Sequence, residues 1–123
     1  MIEPSGLKLI GLIGGLWTVP GVGRQPVIRL EIWQVYRLHS GDHHLVGWNG
    51  ASREGRVSSR VEAFDATRRQ ALTSSGRVYE LCGPDGCNVD GLYVWRNWLE
   101  TRGHERAEEV TSEFVRLIEE SRH

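Results

Sequence analysis

Lysine is almost missing from this chain: Lys8 stands alone against fourteen arginines. That bias fits a GC-rich coding sequence. It also leaves the cationic chemistry to a side chain that forks onto carboxylates and phosphates. Cysteine is limited to Cys82 and Cys87. Their spacing, with the four residues Gly83-Pro84-Asp85-Gly86 between them, is wrong for a zinc knuckle, and no second pair exists. It leaves either a bridge across that turn or a small core residue at Cys82 with a loop residue at Cys87. Net charge is also small, at −1. No strong electrostatic footprint of a nucleic-acid binder is present, so nucleic acid is not an expected partner.

Long hydrophobic runs are missing too. Residues 7–19, LKLIGLIGGLWTV, are interrupted by Lys8 and three glycines. A membrane span needs about 20 apolar residues, so no membrane partner is expected. No A-x-A site follows the run, which argues against a secretion signal and for a cytoplasmic protein. Gly11, Gly14 and Gly15 are not followed by Gly-Lys-Ser/Thr, so a phosphate loop is rejected. The segment reads as an edge strand or an apolar arm, and such an arm on a small protein often finds a partner chain.

What remains is ordinary in amount, at 39% hydrophobic and 25% charged residues. The five tryptophans are the compositional oddity. The length suits one domain. Residues 1–26 read as an apolar N-terminal arm, 27–82 as a β-meander and 91–121 as a helical cap. Charge is unevenly placed. Residues 1–98 carry eleven basic and nine acidic groups, and residues 99–123 carry four and seven. Residues 53–77 hold six arginines against three acids, a mild basic face.

The chain is organised around residues 55–82. Val57, Ser59, Val61 and Ala63 alternate with Arg56, Ser58, Arg60 and Glu62, the pattern of a half-buried strand. Asp65-Ala66-Thr67 predicts a turn, residues 68–73 a short strand, Ser74-Ser75-Gly76 a second turn, and residues 77–82 a third strand. Upstream, residues 27–39 predict the longest strand. Ile28, Leu30 and Ile32 share one face, then Trp33 and Val35 take the opposite phase. That switch predicts a bulge, or a strand serving two sheets. Ser40-Gly41-Asp42 turns the chain into a return strand over 43–48. Downstream, Leu92, Trp95, Trp98 and Leu99 recur at helical spacing, with Asp90 as N-cap and Gly103 as the stop. Residues 104–121 predict a second helix with Ala107, Val110, Phe114 and Leu117 on one stripe. That stripe would dock on the sheet or on another copy. The expected fold class is therefore α+β: a small antiparallel β-barrel or strongly bent sheet, about a five-strand meander, followed by two C-terminal helices.

Gly55-Arg56-Val57-Ser58-Ser59, Phe64-Asp65, Thr73-Ser74-Ser75-Gly76-Arg77-Val78-Tyr79, Gly83 and Tyr93-Val94-Trp95 together carry a resemblance. The chain resembles a family of small uncharacterised bacterial proteins of the phage and mobile gene-cassette (integron-type) kind. The likeness covers residues 33–98. It implies a small bacterial cytoplasmic protein, and brings no activity or catalytic residue.

Several constellations invite chemistry. His39, His43 and His44 bracket a hairpin tip with Asp42 near, a possible imidazole and carboxylate set for a divalent metal. His43 and His44 are sequence neighbours and point to opposite faces, so at most one joins His39. The favoured reading is a polar hairpin tip, with no metal and no cofactor. Glu62 with Asp65, or Asp85 with Asp90, read as surface turns rather than paired catalytic carboxylates. No G-x-S-x-G elbow accompanies Ser58, Ser59, Ser74 or Ser75. A small hydrolase is thus the least favoured reading, and no catalytic residue is assigned. The richest set is aromatic. Trp33, Trp48, Tyr79 and Trp95, with Arg56 and Arg77, are read as a candidate pocket for a planar or anionic small ligand or a peptide. The competing reading makes the rings plain core. The expectation is a non-enzymatic binding module. The alternative is a structural or interaction protein acting through a homodimer or a protein partner.

Overall fold

The computed structural model describes residues 8–10, 27–103 and 106–122. Apart from residues 8–10, the expected N-terminal arm lies outside the described residues. Eight strands and two helices follow in the order β1 (Lys8–Ile10), β2 (Ile28–Leu38), β3 (His43–Asn49), β4 (Glu54–Val57), β5 (Val61–Asp65), β6 (Gln70–Thr73), β7 (Val78–Asp85), α1 (Val89–Thr101), β8 (Ala107–Glu109) and α2 (Thr111–Glu120). The α+β class is as expected. The barrel is not: the strands form an open path, β1-β5-β6-β7-β2-β3-β4, with β8 on β2.

Nor is the sheet one antiparallel meander. β2-β3-β4 and β5-β6-β7 are two antiparallel triplets. They join where β7 lies parallel to β2, and β1 adds to β5 in parallel. Local alternation reports which face a residue takes. It carries no record of which distant strand lies alongside, and that is why the parallel pairing escaped the sequence.

β2 organises the sheet. Its register against β3 steps from Glu31↔Trp48 to Gln34↔Val46, one residue more on β2 than on its partner. Ile32 absorbs the extra residue in the left-handed region, at φ 48°. This is the bulge expected from the phase switch. It returns Trp33 and Val35 to the side of Ile28 and Leu30, and all four are buried in one core. Beyond the bulge, β2 exchanges β7 for β8, pairing Tyr36–Leu38 with residues 107–109.

The expected strand over 55–64 is broken at residues 58–60. The backbone N–H of buried Ser58 still bonds Leu45 O on β3, at 2.9 Å, while its hydroxyl accepts from Leu45 N at 2.9 Å. After Arg60 the chain pairs with β6 instead. This short link has a geometric consequence. β4 and β5 are five strand positions apart on the path, about 24 Å in a flat sheet. Four Cα steps from Val57 to Val61 reach about 14 Å at most. The sheet must therefore curl without closing.

The helices cover the curl. α1 packs on β3 and β4, placing Leu92, Trp95, Trp98 and Leu99 with Tyr36, Leu38, Val46 and Val57 in a second cluster. Its N-cap is Asn88, not Asp90: the Asn88 side chain accepts from Gly91 N at 2.8 Å. Glycine is required where α1 meets the sheet. A Cβ on Gly91 would stand 2.7 Å from Gly47 O, and one on Gly55 would overlap the Asp90 carbonyl. Gly103, at φ 70°, follows the end of α1 as expected.

The second helix is shorter than its pattern suggested. Residues 107–109 are strand, tied to β2 by backbone pairing and by an Arg37–Glu108 ion pair at 2.8 Å. α2 starts only at Thr111, whose hydroxyl accepts from Val35 N at 3.0 Å and donates to Glu109 at 2.8 Å. Val110, Phe114, Leu117 and Ile118 enter the main core with Phe64, Leu45 and Trp33. The stripe is thus spent inside the protein rather than on a second copy. Among the described residues no helix is long and apolar enough to cross a membrane.

Candidate functional site

The aromatic set is divided, because its members lie on different strands of a curled sheet. Trp33 and Tyr79 are buried in the main core. Trp95 is buried in the second cluster, where it stacks on Tyr36 at 5.0 Å and on Trp98 at 5.3 Å between ring centres. Trp48 is half-buried on β3, opposite Glu31 on one side and Gly55 on the other. Arg56 does reach one of these rings. Its Nε donates to the Tyr79 hydroxyl at 3.1 Å, and its guanidinium carbon lies 5.9 Å from the ring centre. Arg77 is exposed at the β6–β7 turn and contributes its carbonyl to Thr73. The structure brings Arg56 to Tyr79 and puts Trp33 in the same core as Tyr79, while Trp48, Trp95 and Arg77 lie elsewhere.

The histidines also diverge. His39 is exposed. His43 turns inward against Phe114 of α2, with ring centres 5.7 Å apart. His44 turns toward Trp95 and Trp98, with its Nδ1 2.8 Å from Ser58 O. Among the described residues no three His, Cys, Asp or Glu side chains converge as a metal site. Burial, then the Arg37 charge, lowers the pKa of His43 to about 4. Burial and the Glu109 charge raise that of Tyr36.

Other sequence candidates are used structurally. Glu62 pairs with Arg60 at 3.1 Å. Asp65, expected on a surface turn, is fully buried, with Oδ1 accepting from Arg68 N at 3.0 Å. Ser58 serves β3, and the hydroxyls of Ser59 and Thr73 each meet that of Ser75, at 3.0 and 3.2 Å. Cys82 and Cys87 are both free thiols. β7 stays extended through Asp85, and Cys82 lies beside Arg29 on β2.

The concavity with the most built floor lies between α2 and the end of β7, a cavity of about 130 Å³. Trp33 forms its base, with Pro84 from β7 and Val115 and Ile118 from α2. Arg69, Arg122, Asp85 and Glu119 line it with charge. Trp33 is held because its indole N–H donates to Gly83 O at 3.1 Å. Arg69 donates to the same carbonyl through Nη2 at 2.6 Å. Its backbone sits in the left-handed region at φ 59°, and its carbonyl accepts from Leu81 N at 2.8 Å. The Nε of Arg69 is shielded and has no hydrogen-bond partner among the described residues. Two other concavities lie at the β2–β8 edge, beside His39 and Arg106, and beside Ile32 and Cys82. Neither has a buried aromatic floor.

Of this cleft, the sequence points to Trp33 as a binding residue and offers Asp85 only as a surface turn. Positions 115, 118 and 119 share one face of α2 by helical spacing, position 122 follows just past its end, and that signal was available beside the Phe114 stripe. Arg69 gave none, since its position follows from a turn that aims it at β7. No protein-family model matches the chain, and neither a curated protein nor a solved structure matches it.

Proposed function

We propose that the protein is a non-enzymatic binding module, and that the cleft between α2 and β7 takes a small ligand bearing a carboxylate. The observation that supports this is Arg69. A guanidinium has five N–H donors in a planar fork suited to a carboxylate. Its hydrogen bond to Gly83 O fixes the group and uses one of those donors. Strained backbone of this kind is retained where the surroundings over-determine it, often at ligand clamps. The apolar base of Trp33, Val115 and Ile118 suits a compact hydrocarbon body. Asp85 and Glu119 at the same site disfavour a polyanion and suit a zwitterion of amino-acid size.

Calorimetric titration with a panel of free amino acids and short carboxylic acids tests the reading. Binding by wild type that is lost in Arg69→Leu and kept in Arg56→Leu supports it. Binding that Arg69→Leu leaves intact removes the cleft from consideration.

One observation favours a second reading as an interaction protein. Val89 and Tyr93, four residues apart on α1, are 79% and 67% exposed. A homodimer or protein partner would cover them. Light scattering of wild type and Tyr93→Ser decides whether that face joins two copies.

A further inference from the structure

His43 is the least expected buried residue beside the main core. It is 1% exposed, and neither ring nitrogen has a hydrogen-bond partner among the described residues. Buried polar groups are ordinarily paired, and one left unpaired marks a place of stored cost. The ring lies against Phe114, and Phe114 in turn meets Phe64 edge-on at 4.9 Å between centres. Phe114 is thus the wedge by which α2 seats on the sheet, and His43 is one wall of its socket. We propose that α2 is an acid-released element: a proton taken up by the His43 imidazole unseats Phe114, frees α2 from the sheet and dismantles the cleft that α2 lines. The unseating does not depend on which ligand the cleft takes.

The surroundings argue in this direction. An imidazolium needs two acceptors, and among the described residues the socket supplies neither, since Phe114 offers only a ring. The titratable or charged neighbours are Arg37 on β2, Asp42 in the β2–β3 turn and His44 on the same strand. Arg37 and His44 oppose a second positive charge, and Asp42 favours it. From the α2 side comes Glu113, whose carboxylate is engaged by Arg37 at 3.6 Å. Its neighbour along Arg37 is Glu108 of β8. With α2 seated, the ring holds a pKa of about 4 against an ordinary 6.5. A lowered pKa means that the seated state refuses a proton the unseated state accepts. Seating is therefore full above pH 6.5 and weakens as pH falls toward 4. If unseating restores the ordinary value, the seated fraction relative to the open one drops about 20-fold from pH 7 to pH 5, and about 100-fold by pH 4.

Hydrogen exchange of the backbone amides at pH 7 and pH 5, corrected for intrinsic rates, tests the proposal. In wild type, amides of α2 lose about 20-fold in protection at pH 5 while those of β2 and β7 keep theirs. In His43→Leu the α2 protection no longer depends on pH. Loss of α2 and sheet protection together, or an unchanged α2 loss in His43→Leu, overturns it. Should His43→Leu fail to fold, the His43 ring protons of wild type decide the matter by NMR. Titration near 6.5 with α2 still protected overturns the proposal, and titration coincident with α2 release supports it.

Discussion

Arg56 Nε donates to the hydroxyl of Tyr79 at 3.1 Å, although their strands stand three positions apart in the sheet. In a flat sheet three spacings separate them by about 14 Å. The bond therefore spans the inside of the curl, between β4 at the edge and β7 in the middle. It closes side chain to side chain a sheet that does not close through its backbone. Both residues belong to the set singled out for ligand binding from sequence. Their contact gives them a structural use whether or not a ligand approaches Arg56.

Removing one atom tests that use. Tyr79→Phe deletes the acceptor and keeps the ring in the core. The expected loss is about 1 kcal/mol, the usual net value of such a bond, read from urea unfolding. Arg56 is half-buried and regains water, so the loss stays small. A double-mutant cycle with Arg56→Leu should return a favourable coupling of similar size. Additive effects would mean that the bond does not hold the curl.

The seat of α1 is tested at Gly55. A methyl group there meets the carbonyl of Asp90 in the first turn of α1. Neither backbone can yield without lifting the helix from β3 and β4. Gly55→Ala is expected to cost about 3 kcal/mol or more, at the upper end of overpacking penalties. Its melting temperature should fall by about 10 °C, at roughly 4 °C per kcal/mol for a chain between the small and the large size classes. A melt matching wild type would place α1 farther from the sheet than described.

Cysteine chemistry separates the two thiols. Cys87 is exposed, whereas Cys82 is half-buried beside Arg29. Alkylation of native, unreduced protein should modify both, with Cys87 reacting first. Mass spectrometry showing two alkyl groups fits two free thiols. A mass showing none would restore the bridge across Gly83-Pro84-Asp85-Gly86.

The contrast between what was legible and what was not follows the range of the forces. Val57, Val61 and Ala63 alternate because one face of each strand is wet, and Leu92, Trp95 and Leu99 recur because one stripe of α1 is dry. Such signals are local, and the elements they imply are present. The Ile32 bulge was legible for the same reason, since one extra residue shifts the phase of every apolar neighbour after it. Partner choice is not local. Ser58 ends β4 because its hydroxyl satisfies Leu45 on another strand, and residues 107–109 leave the helix because β2 offers them an edge. The cleft lies at the far end of that scale. Trp33, Arg69 and Ile118 meet only once the sheet has curled and α2 has seated.

The most direct test of the binding account is a chemical-shift map. Backbone amides and the Trp33 indole N–H are followed while a neutral, apolar α-amino acid such as leucine is titrated into the full chain. Saturable shifts are expected at Trp33, Arg69, Asp85 and the α2 face around Ile118, all absent in Arg69→Leu. Shifts gathered instead at Tyr36, Trp95 and Trp98, or none at all across the amino-acid and carboxylate panel, would contradict it.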